Sequence, residues 1–260
     1  MKTVIVIPAR YASTRYPGKP LVELTQPDGS RKSLIRMSWE AARAVRGVAE
    51  VHIATDDDRI RAAAQAFGAQ VIMTSESCEN GTARCADALS RAGIKADLVV
   101  NLQGDAPLTP AWFVEDLIAA MRDDPDAQVA TPVLQCDART YSHFIEDRHA
   151  GRVGGTTAVF DRRQHAMYFS KEVLPYIDPA KRPERDIPVY HHVGVYAYRP
   201  AALAAYTEWP EGVLEAREGL EQLRFLENGV PVRCVIVEGR GRVFWELNNP
   251  QDVARIESVL

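Results

Sequence analysis

Apolar and polar positions along the first half of the chain follow two alternating periods. Residues 3–7, Thr-Val-Ile-Val-Ile, form a near-continuous β-branched run of the kind expected of a strand buried on both faces. Ser33 can cap a helix running to about residue 45, with Leu34, Met37, Ala41 and Val45 on one stripe. Residues 51–55 read as the next strand. Asp56, Asp57 and Asp58 then put carboxylates where a helix N-terminus favours them, opening a helix through about Phe67 that Gly68 ends. A strand over 69–74, a helix over 82–92, a strand over 98–102 and a helix over 110–121 follow. Alternation this regular predicts an α/β fold, with a mostly parallel sheet covered by helices on both faces. In such sheets ligands bind beyond the carboxyl ends of the strands, so functional residues are expected just after Ile7, Thr55, Thr74 and Leu102.

The second half is less periodic. Strands are expected over 128–134, 157–160, 192–198, 232–237 and 243–247, and helices over 215–228, closed by Gly229, and over 251–259 after Pro250. Residues 176–188, rich in Pro and charge, predict a mobile loop. No low-complexity linker or internal repeat divides the chain. The reading is therefore one domain over 1–260 with an inserted β-rich subregion at about 150–200.

Composition narrows the class. Of 260 residues 46% are apolar, enough for a substantial core, which excludes wholesale disorder. Lys and Arg number 31 against 35 Asp and Glu, a net charge of −4, so neither nucleic acid nor an anionic membrane is an expected partner. Cys78, Cys85, Cys136 and Cys234 lack CxxC spacing and read as reduced thiols. The N-terminal apolar stretch is too short for a signal sequence, and no run approaches bilayer-spanning length. A soluble cytoplasmic protein is expected.

Two segments carry chemistry. Directly after the first strand, Pro8-Ala9-Arg10-Tyr11-Ala12-Ser13-Thr14-Arg15-Tyr16-Pro17-Gly18-Lys19-Pro20 gathers Arg10, Arg15 and Lys19 among small residues. Forked arginines, a lysine point charge and exposed backbone N–H groups suit a polyphosphate. The loop is not a Walker A motif, which would need Gly where Ser13 stands, and no GxGxxG follows a strand. The second segment, Gln103-Gly104-Asp105, follows the fourth strand. Alone, Asp in a Gly-Asp turn is ordinary. Opposite a phosphate loop on the same sheet edge, Asp105 reads as a ligand for Mg²⁺, which takes one or two carboxylates together with phosphate oxygens.

Together these segments resemble the 3-deoxy-manno-octulosonate (Kdo) cytidylyltransferase family. The resemblance runs nearly the whole length: PARYASTRYPGKPLVEL at 8–24, ATDDDRI at 54–60, NGTAR at 80–84, NLQGDAPL at 101–108, MYFSK at 167–171, HHVGVYAY at 191–198 and LEQLRFLENG at 220–229. It implies a Rossmann-like sheet of the nucleotide-diphospho-sugar transferase type, Mg²⁺ as cofactor, CTP and a sugar acid as substrates, and a homodimer with a contact region near 188–198. By the same resemblance Arg10, Ser13 and Lys19 would hold the CTP phosphates, and Pro8, Ala9, Asn80, Gly81 and Arg84 would also bind the nucleotide. Arg10, Lys19 and Asp105 would be catalytic, and Gln103, His192, Tyr196, Glu221 and Gln222 would line the sugar-acid pocket. From their own spacing those five do not stand out. Tyr196 reads equally as core, Glu221 as a solvated helix face, and His192 stands evenly between packing and a ligand contact.

Three departures touch this region. The family's Val-Asp-Thr-Pro-Glu-Asp, whose first Asp is a second metal ligand, is here Leu247-Asn248-Asn249-Pro250-Gln251-Asp252. Asn248 offers only a neutral oxygen. Strand alternation puts Glu246 on its face, where it either supplies the missing charge or points at solvent. The family's Phe-Ser-Arg is Phe169-Ser170-Lys171, losing the fork, and its Val-Lys is Thr156-Thr157, losing a cation. The expected chemistry is cytidylyl transfer from CTP to a 3-deoxy-2-ulosonic acid, either Kdo or a variant such as 8-amino-Kdo. The losses favour an acceptor other than plain Kdo, another nonulosonic acid or a phosphonate among them. Asn248 keeps open a nucleotide-binding homologue without turnover. A glycosyltransferase, whose metal site uses Asp-x-Asp, is disfavoured by the single acid of Gln103-Gly104-Asp105.

Overall fold

The computed structural model describes residues 1–12, 16–153, 155–181, 183, 185–242, 247, 250 and 252–260. The first apolar run becomes β1 (Thr3–Ala9), buried at every position. After the loop and a 3-10 turn (Lys19–Leu21), β2 (Glu23–Thr25) and β3 (Arg31–Ser33) form a small separate hairpin leading into α1 (Leu34–Arg43). The predicted alternation then unfolds as β4 (Glu50–Thr55), α2 (Asp58–Ala66), β5 (Gln70–Met73), α3 (Gly81–Ala92), β6 (Leu98–Leu102), α4 (Ala111–Asp123) and β7 (Val129–Gln135). Asp57 is the cap the acidic run predicts, its carboxylate accepting from the N–H groups of Arg59 and Ile60.

The remainder comprises α5 (Ala138–His149), β8 (Thr157–Phe160), β9 (Ala166–Ser170), β10 (Tyr190–His192), β11 (Val195–Tyr198), α6 (Pro200–Glu208), α7 (Val213–Glu218), α8 (Leu223–Glu227), β12 (Val232–Val237) and α9 (Asp252–Glu257). Ten of these strands make one sheet in the order β5-β4-β1-β6-β11-β7-β10-β8-β9, with β12 also paired to β7. Pairs β4/β5, β1/β4, β1/β6 and β7/β12 are parallel, and β11, β10, β8 and β9 join antiparallel. The antiparallel strands include the β-rich stretch expected at about 150–200. Helices α1, α2 and α4 pack on one face through Ile35, Ile60, Phe113 and Leu117, and α3 and α6 on the other through Cys85, Ala88 and Tyr206.

Several elements depart from the expected pattern. The helix expected over 215–228 is two, because Gly219 adopts left-handed φ 60° and its N–H closes on the Glu215 carbonyl at 2.6 Å. The break removes Glu221 and Gln222 from a helical surface and places them in the intervening turn. The strand expected over 192–198 is likewise two, β10 and β11. Helix α5 escapes periodicity because only Tyr141 and Phe144 are buried on an otherwise polar segment, and Asp137 caps it through Thr140 N–H at 2.7 Å. Residues 243–246 of the expected strand over 243–247 lie outside the described residues.

Candidate active site

The strand order creates the site. From β1 the chain crosses to β4 and β5 on one side and returns to β6 on the other, so successive crossovers diverge between the carboxyl ends of β1 and β6. The loop after β1 and the turn after β6 face each other there. Gly104 lets them approach: a Cβ on it would stand 3.0 Å from the Pro8 carbonyl oxygen and 3.7 Å from Ala9 Cβ. The buried Ser38 hydroxyl of α1 donates to the Gly104 carbonyl at 3.1 Å. Lys19 Nζ lies 2.5 Å from Asp105 Oδ2, both side chains mostly shielded. The two segments read separately as phosphate loop and carboxylate turn therefore meet.

The phosphate loop has its own brace. Gly18, at left-handed φ 71°, donates its N–H to the Tyr11 carbonyl at 2.9 Å, and a Cβ there would strike the Tyr11 ring at 3.1 Å. Over that ring lies the Arg59 guanidinium, 3.3 Å from its centroid and held bidentately by Asp57. The exposed Arg10 donates to the Glu79 carbonyl at 3.3 Å, linking the loop to the approach to α3. Ser13 lies outside the described residues, as do Glu246 and Asn248. Leu247 N–H donates to the Asp105 carbonyl at 2.9 Å, so the C-terminal segment reaches the Asp105 turn.

The start of α3 forms the next wall. Asn80 caps it by accepting from Ala83 N–H, while its amide donates to Tyr206 Oη at 2.7 Å. Glu221, from 140 residues along the chain, accepts from Gly81 N–H through one oxygen and from the Thr82 hydroxyl through the other, each at 2.9 Å. Burial pushes the Glu221 carboxyl above its ordinary pKa, against those hydrogen bonds. It is no solvated helix face. Behind it the Arg224 fork grips Glu215 at 2.6 and 2.8 Å over the Tyr206 ring. Arg84, expected against the nucleotide, is 2% exposed and turned inward, with its guanidinium on Asp56 at 2.9 Å and on the Thr74 hydroxyl at 2.6 Å. It braces the ends of β4 and β5.

The antiparallel half supplies a different lining. Tyr196 of β11 is 4% exposed and belongs to the core, yet its hydroxyl donates to Gln222 Oε1 at 3.0 Å, so packing and polar roles coexist. The His192 ring sits 5.5 Å from the Tyr196 ring and 5.0 Å from Phe169. Burial drives the His192 pKa down to about 3, leaving a neutral imidazole. Asn101 of β6 lies directly across from Tyr196, and Gln103 stands with Asn101 against Gly81. Four buried side-chain groups among the described residues have polar atoms without a hydrogen-bond partner in the protein: Thr3, Asn101, His192 and Gln222. Each such group costs about 1–3 kcal/mol, and three of the four adjoin Tyr196. Sequence reasoning missed Asn101, although a lone amide in the apolar strand Leu-Val-Val-Asn-Leu was a signal.

The departures also find places. Thr157 is fully buried, its hydroxyl donating to the Glu172 carbonyl and accepting from Leu174 N–H, so it holds a turn. Lys171 Nζ lies 3.0 Å from where a Cβ of Gly219 would stand, two residues before Glu221. Among the described residues no three His, Cys, Asp or Glu side chains form a metal cluster. Asp105 alone matches the sparse donor set of an ion that takes phosphate oxygens as further ligands.

Comparison with known proteins identifies the family and the fold. The cytidylyltransferase family model covers residues 4–234. The 3-deoxy-manno-octulosonate cytidylyltransferase of Maricaulis maris is 42% identical over 260 residues, covering 100% of this chain and 97% of that protein. The 8-amino-3,8-dideoxy-manno-octulosonate cytidylyltransferase of Shewanella baltica is 37% identical over 262 residues, covering 100% and 99%. Among solved structures, a CMP:2-keto-3-deoxy-manno-octonic acid synthetase complexed with CTP superposes with TM-score 0.83 at 37% identity, covering 99% of this chain and 98% of that one.

Proposed function

This chain belongs to the cytidylyltransferase family, and we propose that it transfers the cytidylyl group of CTP to a Kdo-type 3-deoxy-2-ulosonic acid, releasing pyrophosphate. The observation that carries the reading is the meeting of Lys19 and Asp105 where the crossovers diverge. The anomeric hydroxyl oxygen attacks the α-phosphorus in line, a new O–P bond forms, and the bond to the β-phosphate breaks. Without substrate Lys19 neutralises Asp105; with CTP present its ammonium turns to the triphosphate, joined by Arg10, and steadies charge growing on the leaving group. Asp105, then free of Lys19, would hold Mg²⁺, with Asn248 and Glu246 as the further ligands suggested by sequence. Bound there, the ion supplies charge neutralisation and a lower pKa for the attacking hydroxyl. Ser13, Pro8 and Ala9 belong to the phosphate end, and Asn80 and Gly81 to the nucleotide wall.

At the other end Gln103, His192, Tyr196, Glu221 and Gln222 receive the sugar acid, whose carboxylate faces Lys171. The amino-substituted acceptor is the second reading, favoured by the likeness to the Shewanella baltica 8-amino-3,8-dideoxy-manno-octulosonate cytidylyltransferase. Four free cysteines and the absence, among the described residues, of any helix long and apolar enough to cross a membrane accord with a cytoplasmic enzyme. The 260 residues act as one catalytic domain that pairs as a homodimer through its β-rich subregion. There the edge strand β9 leaves Met167 69% exposed, and sedimentation at micromolar concentration tests the pairing. The function itself is tested by pyrophosphate release with CTP and Mg²⁺ across Kdo, 8-amino-Kdo, sialic acid and no acceptor. Turnover with a 3-deoxy-octulosonic acid, with the CMP-sugar acid found by mass spectrometry, is expected. Silence across the panel with CTP still bound by calorimetry would overturn it.

A further inference from the structure

Resting on that reading, we propose that Asn101 is a positioning residue for the acceptor, holding the Gln103 amide from beneath once the sugar acid is bound. Asn101 is the polar residue of an otherwise apolar, fully buried strand, and it is itself 0% exposed. Neither its amide oxygen nor its nitrogen has a hydrogen-bond partner in the protein. A folded chain gains nothing in stability from such a group, because an apolar side chain of similar volume would remove the desolvation cost and keep the packing.

Its neighbours place its use. Antiparallel register sets Asn101 directly opposite Tyr196, so both side chains share one face of the sheet. Tyr196 also touches the other two unsatisfied groups of this region, His192 by ring contact and Gln222 by its hydroxyl hydrogen bond. These groups come from three separate chain segments, so local backbone competition explains none of them. Above Asn101 the start of α3 presses close. A Cβ on Gly81 would stand 3.2 Å from Asn101 Nδ2 and 2.9 Å from Gln103 Nε2, so one glycine spaces both amides. Gln103, half-buried at the strand end, can reach a ligand where Asn101 cannot. Asn101 offers both a donor and an acceptor, so it can hold the Gln103 amide in either orientation that the acceptor's hydroxyls demand.

The test reads stability and substrate constants together on Asn101→Leu, with Asn101→Ala, which adds no bulk, in parallel. The expected result is a melting temperature raised by several degrees in Asn101→Leu, KM for the sugar acid raised about tenfold or more in both variants, and KM for CTP within twofold of wild type. A purely structural asparagine would do the reverse, lowering the melting temperature with the sugar-acid KM unmoved, and that result would overturn the proposal. An unchanged sugar-acid KM would also overturn it, whatever the stability. If Asn101→Leu fails to fold, Asn101→Ala decides by the same constants. Wild-type silence with every sugar acid would instead sink the functional reading, so the two failures are distinguishable.

Discussion

The two ends of the proposed site are built in opposite ways. The proposed phosphate end, built on the parallel strands, presents charge: Arg10 is exposed, and Lys19 and Asp105 hold each other at 2.5 Å. The proposed acceptor end, built where antiparallel strands join, presents Asn101, neutral His192 and Gln222, all nearly or fully buried and carrying polar atoms without a protein partner. A triphosphate can be captured by cations that find other company in its absence. A polyhydroxylated acid requires many modest, directional contacts, and these are strong only when water is kept out. The lesson is that the charged end can relax without ligand, whereas the neutral end stays assembled at a cost in stability.

That contrast breaks most sharply at Asp105. Asp105→Ala is expected to lower pyrophosphate release by roughly 10²–10³-fold or more, while calorimetry finds CTP still bound because Lys19 is left without its internal rival. Loss of CTP binding together with turnover would show instead that the pair supports the loop. Gly104→Ala tests the approach of the two segments. Its Cβ would press on the Pro8 carbonyl at 3.0 Å, a backbone atom that would have to shift to admit it. Urea denaturation should show a loss of about 1–3 kcal/mol, and turnover should fall with it.

The same contrast explains what the sequence made legible. Charge must cluster in a loop to bind phosphate, so Arg10 and Lys19 announced themselves, and strand alternation placed them at a sheet edge facing Asp105. The residues proposed to receive the acceptor carry no such mark. Tyr196 is at once core and donor, and Glu221 became interpretable only because Gly219 breaks what periodicity reads as one helix. Arg84, set against the nucleotide by the resemblance alone, has a partner that only the fold reveals, Asp56. Thr157, which stands where the resemblance expects a cation, holds the 172–174 turn through its hydroxyl, a role that only the fold reveals.

Acid should find the neutral end first. His192, lowered to about 3 and His191, lowered to about 4, stay uncharged in the folded protein while their unfolded counterparts take up protons below about pH 6.5. The unfolded state then binds more protons, so stability falls as pH drops from 6.5 towards those values, by about 1.4 kcal/mol per pH unit for His192 alone. Glu221, its carboxyl raised by burial, acts in the other direction, losing stability as pH rises from its ordinary 4.5 through its folded value. Melting temperatures from pH 7 to 5 in wild type and His192→Gln check this, the variant showing the shallower decline. Equal slopes would remove His192 from the account.

The smallest effect belongs to the brace on the phosphate loop. Arg59→Ala removes the cation over Tyr11, about 0.5–1 kcal/mol, so KM for CTP should rise about two- to fivefold with the sugar-acid KM unmoved. A shift in the sugar-acid constant alone would detach Arg59 from the loop.

The division between a charged and a neutral end is measured most directly by the two Michaelis constants of Lys19→Met and Gln222→Leu. The account predicts that Lys19→Met raises KM for CTP with little change in that of the sugar acid, and that Gln222→Leu does the opposite. If both variants move both constants equally, the cleft works as one undivided site and the account is wrong.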